Sequence, residues 1–218
     1  MFRSITLSSA FLFLAGTGSA QDIGGAAVGF GLSSFGAYAS ASYEVAPKLR
    51  LRGIVTGLPS FEFDDEGEET GSDITFDGSF GGVAALADYH PYAGSFRVSG
   101  GLFFSNSSLD GNGQGFEAED GTSYDNARVD GSLRFEEEIA PMLAIGYVTG
   151  GERSWGFESE IGLIGVGGVE VTLDGTSGDP TVDTQFQEDL EEVEADAQEM
   201  GDMLVVYPWL SIGVSYRF

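Results

Sequence analysis

The chain has 218 residues, no cysteine, 34 glycines and a formal net charge of −26, although only 20% of its residues are charged. The missing thiols exclude a disulfide framework and any thiolate metal centre. So acidic a balance excludes nucleic-acid recognition, which needs clustered Lys and Arg against the phosphate backbone.

Met1-Phe2-Arg3 is a short positive start, and Ile5 to Ala15 is mostly apolar. Gly18-Ser19-Ala20 then supplies small residues, which gives residues 1–20 the pattern of a secretory signal peptide. The apolar run is far shorter than the roughly 20 residues of a spanning helix. Cleavage before Gln21 removes Arg3 and no acid, taking 9 basic residues to 8 against 35 acidic ones, a balance of −27. Residues 21–218 are expected to form a single domain.

Beyond Gln21 the recurrent signal is alternation with a period of two, the side-chain period of a strand. Ile23 to Phe30 fits a first strand, with a tight turn at Gly31-Leu32-Ser33-Ser34. Phe35, Ala37, Ala39, Ala41, Tyr43 and Val45 share one face, against Gly36, Tyr38, Ser40, Ser42 and Glu44. Leu49, Leu51, Val55, Phe61 and Phe63 oppose Arg50, Arg52 and Thr56. Ile74, Phe76 and Phe80 alternate with Thr75, Asp77 and Ser79, and Phe96, Val98, Leu102 and Phe104 with Arg97, Ser99 and Ser105. Leu143, Ile145 and Tyr147 follow the same rule, as do Trp155, Phe157, Ile161, Leu163, Val169 and Val171 around Glu158 and Glu160.

The connections are of two kinds. Ala46-Pro47-Lys48, His90 to Gly94 and Gly150 to Ser154 are short turns punctuated by Pro or Gly, whereas Asp64 to Ser72, Asp110 to Asp130 and Asp174 to Leu204 are long, acidic and Gly-rich. Short turns at one end and long loops at the other characterise outer-membrane barrels. The expected fold is therefore all-β, an eight-stranded antiparallel transmembrane β-barrel with long outer loops and one short amphipathic helix before the last strand. That helix is expected over about 184–202. There Phe186, Leu190, Val193, Ala197 and Met200 recur at steps of four and three among seven acids, with Asp183 or Thr184 as its cap.

The closing residues alternate most cleanly, with Leu210, Ile212, Val214, Tyr216 and Phe218 on one face and Ser, Gly, Ser and Arg217 between them. This resembles the C-terminal strand that outer-membrane barrels present to the barrel-assembly machinery. It sets the sense of the chain, with the final strand descending to the periplasm and the long acidic segments outside. Ala87-Asp88-Tyr89-His90-Pro91-Tyr92, Phe96 to Leu102, the acidic Gln187 to Met200 and Tyr207-Pro208-Trp209 to Phe218 extend the likeness. Together they resemble small outer-membrane barrels of the OmpW/OmpA-like and opacity-protein type, and within that group a family of about this length. The resemblance implies a barrel in the outer membrane of a Gram-negative bacterium and hands over no catalytic residue.

Parity turns Arg50, Arg52, Arg97 and Arg217 inward near the short turns, together with Glu44, Glu158 and Glu160. Plain parity leaves Asp88 outside, unless a bulge at Gly81-Gly82 shifts the register. Eight strands enclose only enough room for side chains, and charges buried there must pair. An Arg–Glu network that closes the lumen is the expectation. It suits a structural or surface-interaction role, the alternative being a narrow channel for small apolar or ionic solutes.

His90, the only histidine, precedes Pro91 in a short turn with no nucleophile beside it. It reads as an interfacial residue next to Tyr89 and Tyr92. No enzyme activity and no cofactor are expected. Expected partners are outer-membrane lipid and lipopolysaccharide, the assembly machinery, and divalent cations drawn to the acidic loops. Asp110-Gly111-Asn112-Gly113-Gln114 begins like a calcium loop but lacks the acid that closes one at position twelve, so no built metal site is expected.

Overall fold

The computed structural model describes residues 25–58, 61–66, 73–92, 94–118 and 121–218. The expected signal peptide, residues 1–20, and the start of the first expected strand, Ile23, lie outside the described residues. Eight strands close into an antiparallel barrel: β1 (Ala26–Ser33), β2 (Gly36–Ala46), β3 (Leu49–Gly57), β6 (Gly81–Tyr89), β7 (Phe96–Ser105), β10 (Ile139–Val148), β11 (Ser154–Ile164) and β13 (Tyr207–Arg217). Neighbours in sequence are neighbours around the wall, and β13 seals it by pairing with both β11 and β1.

These strands alternate because their two faces meet different solvents. Leu32, Val55, Leu143, Ile161 and Ile212 point outward and are 54–69% exposed, which is the signature of a wall that faces lipid. Strands of 8 to 11 residues match the hydrocarbon thickness when tilted. Near the short turns the outward row becomes aromatic, with Tyr43, Tyr89, Tyr147 and Trp155 exposed. Such a girdle belongs at a membrane–water boundary, where an amphipathic ring has one apolar and one wet side.

At the opposite end the three long connections carry regular structure in their described residues. They build a second antiparallel sheet from β4 (Phe61–Glu66), β5 (Asp73–Ser79), β8 (Ser108–Glu117), β9 (Ser123–Phe135) and β12 (Val169–Thr176), in the order β12-β9-β8-β5-β4. Phe61 and Phe63 therefore belong to β4 rather than to a barrel strand, and Val169 and Val171 to β12 rather than to β11. The stretch Asp110-Gly111-Asn112-Gly113-Gln114 is the middle of β8, paired on both sides, and not an ion-binding loop. The expected turn at Gly31 to Ser34 is also displaced. β1 runs on to Ser33, and the reversal occurs at Ser34-Phe35.

The expected helix is α1 (Asp183–Asp202), and it packs on this second sheet. Phe186 and Leu190 are fully buried, with the Phe186 ring 5.5 Å from that of Phe116 and 5.2 Å from that of Tyr124. Val193 and Ala197 are half-buried, and Met200 is exposed, so the apolar stripe makes contact chiefly in the first half of the helix. Neither Asp183 nor Thr184 caps α1. The N-cap is Val182, without a side-chain bond, while the Asp183 carboxylate accepts from the backbone N–H and hydroxyl of Ser177.

Candidate functional site

The barrel interior is filled in two layers. Towards the second sheet lies an aromatic layer built on Phe35, Phe103 and Trp209, each fully buried. The Phe35 ring lies 4.9 Å from Phe103, 4.7 Å from Tyr207 and 6.3 Å from both Trp209 and Phe135. Ile54, Leu86, Met142, Ile164 and Val166 complete this core. Phe35 does not share the lipid face with Ala37 and Ala39. It lies at the β1–β2 reversal, and that position lets its ring fold over the lumen.

Below it lies an ionic layer. Arg52, from β3, places Nη2 2.6 Å from Glu160 Oε2 and Nε 2.8 Å from Asp88 Oδ2. The Arg52 Nε–H is misaligned with that oxygen, so the second contact is ionic without being a hydrogen bond. Arg97, from β7, donates to the same Glu160 oxygen from Nε at 2.9 Å and lies 3.6 Å from Glu158. The Ser99 hydroxyl donates to Asp88 at 2.7 Å, and the Tyr38 hydroxyl to Glu158 at 2.7 Å. Carboxylates held this way retain several charge-assisted bonds in place of water, which is what permits their burial.

The two layers are joined. Trp209 Nε1–H donates to Glu160 Oε1 at 2.9 Å, so one carboxylate serves two arginines below and an indole above. Space for this comes from small inward residues. A Cβ on Gly29 would lie 2.5 Å from the Glu158 carboxylate and 2.6 Å from the Ser40 hydroxyl. A Cβ on Gly146 would lie 2.9 Å from Arg97 Nε.

Of the charges that parity placed inside, Arg52, Arg97, Glu158 and Glu160 form this network. Arg50 is buried one row nearer the short turns, with Nη2 donating to the Gly25 carbonyl. Glu44 is not part of the buried set. Its side chain is 47% exposed at the rim and lies 3.8 Å from Arg50. Arg217 is half-buried beside the same opening, and among the described residues no carboxylate lies within ion-pair distance of it.

Asp88 faces inward, 1% exposed, contrary to plain parity. The register does not carry through from Phe76, because β5 and β6 belong to different sheets and Phe80 separates them. The even positions of β6 then point inward. The aromatic layer was available to the same parity argument. Phe103 shares its face with Arg97 and Ser99, and Trp209 lies out of phase with Leu210 and Ile212.

His90 lines the opening at the short-turn end, together with Arg50, Arg97 and Arg217. Burial pushes its imidazole below the usual range. Asp88 opposes the shift, and the three arginines add to it. Among the described residues no group of three or more His, Cys, Asp or Glu is arranged to hold a metal ion.

No family model matches the chain, and comparison with curated proteins gives no match either. Among solved structures, the fold is similar to that of Acinetobacter baumannii CarO2, with TM-score 0.58 and 16% identity over 91% of this chain and 100% of that one. It is similar as well to Acinetobacter baumannii CarO, with TM-score 0.55 and 17% identity over 88% and 97% of the respective chains. At such identities the likeness is one of fold, an eight-stranded antiparallel barrel with one helix ahead of its last strand.

Proposed function

We propose that the protein is an outer-membrane barrel of a Gram-negative bacterium, exported by a cleaved signal peptide, whose lumen is closed and whose role is structural or surface-interacting. The observation that carries this reading is the double closure of the interior, an aromatic layer stacked on an ion-paired layer and joined through Trp209 and Glu160. An eight-stranded wall has little room to spare, and here that room is occupied. The lipid-facing row and the aromatic girdle support the membrane setting. The alternating β13 suits capture by the assembly machinery. On this reading the second sheet and α1 face outward. They present carboxylates that lipopolysaccharide-bridging divalent cations would screen.

Planar-bilayer recording tests the closure. The purified, refolded protein is expected to insert without conducting, and steady single-channel openings would overturn the closed lumen. A second reading, a narrow path for small apolar solutes, draws on two apolar hollows of about 380 and 180 Å³ on the second sheet. Both are lined by Leu109 and Leu133, and the smaller one reaches Phe135 and Tyr207 at the edge of the aromatic layer. Uptake of an apolar solute into vesicles, without ionic current, would favour that reading.

A further inference from the structure

We infer that the short-turn end of the lumen binds a small monovalent anion of chloride size, held between Arg50 and Arg217. A cavity of about 30 Å³ lies there, large enough for an ion or a water and too small for an organic solute. Its walls include Ala27, Ser42 and Ser215, whose short side chains leave the space open, and its titratable lining is Arg50, Arg52, Arg97, Arg217 and His90 with the carboxylates of Asp88 and Glu158.

The lining carries an excess of positive charge. Four guanidinium groups, on Arg50, Arg52, Arg97 and Arg217, face the cavity against the two carboxylates of Asp88 and Glu158. Those carboxylates are committed to the layer above. Asp88 is the direct cross-strand neighbour of Arg50, yet its oxygens face Arg52 and Ser99. Arg50 itself is only 6% exposed, and among the described residues its Nε–H has no hydrogen-bond acceptor. The carboxylate within ion-pair reach of it, that of Glu44, is 3.8 Å away and half in solvent. A buried guanidinium with an N–H short of an acceptor among the described residues, lining one cavity with a second arginine that has no ion pair among them, favours a negative charge in that cavity. One monovalent anion offsets part of the excess. The acidity of the chain as a whole, net −26, opposes uptake of such an ion elsewhere on its surface.

The test uses the full chain refolded in a nonionic detergent, with chloride itself as the probe. Chloride-35 NMR is expected to show line broadening above that of protein-free micelles, removed by bromide and unaffected by gluconate, which is too large for the cavity. Arg217→Gln is expected to weaken chloride binding at least tenfold while keeping the folded gel mobility. Broadening that is absent from the parent, or that persists undiminished in Arg217→Gln and Arg50→Gln, overturns the assignment. If those variants fail to fold, crystals of the unaltered protein grown in bromide decide the question. An anomalous peak between Arg50 and Arg217 supports the site, and its absence overturns it. The closed lumen does not enter this test, because the cavity lies on the short-turn side of the ionic layer whether or not that layer leaks.

Discussion

Glu160 is the residue on which the interior turns. Its two oxygens meet Arg52, Arg97 and Trp209, and its side chain is wholly buried. Neutralising it leaves two guanidinium groups facing each other with one shared acceptor fewer. Glu160→Gln is expected to destabilise the barrel by about 3–5 kcal/mol, the usual penalty for breaking a buried ion pair from one side. Urea unfolding in micelles, followed by tryptophan fluorescence, measures it. His90 gives a pH signature at the same scale. Its folded pKa lies below the ordinary 6.5, so protonation is harder in the folded barrel than in the unfolded chain. The sign follows directly: stability is intact above about pH 6.5 and is lost as pH falls through the lowered folded value. Thermal midpoints of the parent are expected to drop over that window by more than those of His90→Gln.

Among the elements, α1 and β12 depend on one another. β12 is an edge strand, and an uncovered edge invites pairing with other chains. Two glutamines of α1 cover it. Gln198 accepts from the Val171 N–H at 2.8 Å and donates to the Val169 carbonyl at 3.2 Å, and Gln187 donates to the Gly175 carbonyl at 2.9 Å. Gln198→Ala is expected to speed hydrogen exchange at the Val171 amide at least tenfold while leaving β13 unchanged. The helix was legible in the sequence because Phe186, Leu190 and Val193 carry a helical period through an acidic stretch. The sheet beneath it was not. In β8 the residues on the helix side are Leu109, Gly111, Gly113 and, past a bulge at Gly115, Phe116, and a face so short of side chains resembles a loop. The barrel strands were readable for the opposite reason, because bulky apolar side chains such as Leu51, Val55, Leu143 and Ile145 recur along the outward face. Within the site, parity turned Arg52, Arg97, Glu158 and Glu160 inward, where they pair, since a charge in a greasy strand has one tolerable direction. It also counted Glu44, which lies exposed at the rim. It missed Asp88, where the phase resets between two sheets, and Phe35, whose turn position has no phase.

For the whole molecule, the proposed closure rests on two layers, and the pair makes a prediction that neither layer makes alone. Phe103→Ala thins the aromatic layer but leaves Arg52, Arg97, Glu158 and Glu160 across the lumen. Arg97→Ala loosens the ionic layer beneath intact rings. Each single variant is expected to remain silent in a planar bilayer, whereas the double variant Phe103→Ala/Arg97→Ala is expected to show discrete openings. Conductance in either single variant would show that one layer alone seals the barrel.

Trp209 lies on β13, the strand that pairs with β11 on one side and β1 on the other. Its ring belongs to the aromatic layer, and its indole N–H holds the carboxylate of the ionic one. Until that strand docks, the wall has a seam, Glu160 lacks its upper donor and Phe35 lacks a ring partner. One strand thus closes the wall and ties together both layers of the interior, and β13 is their keystone.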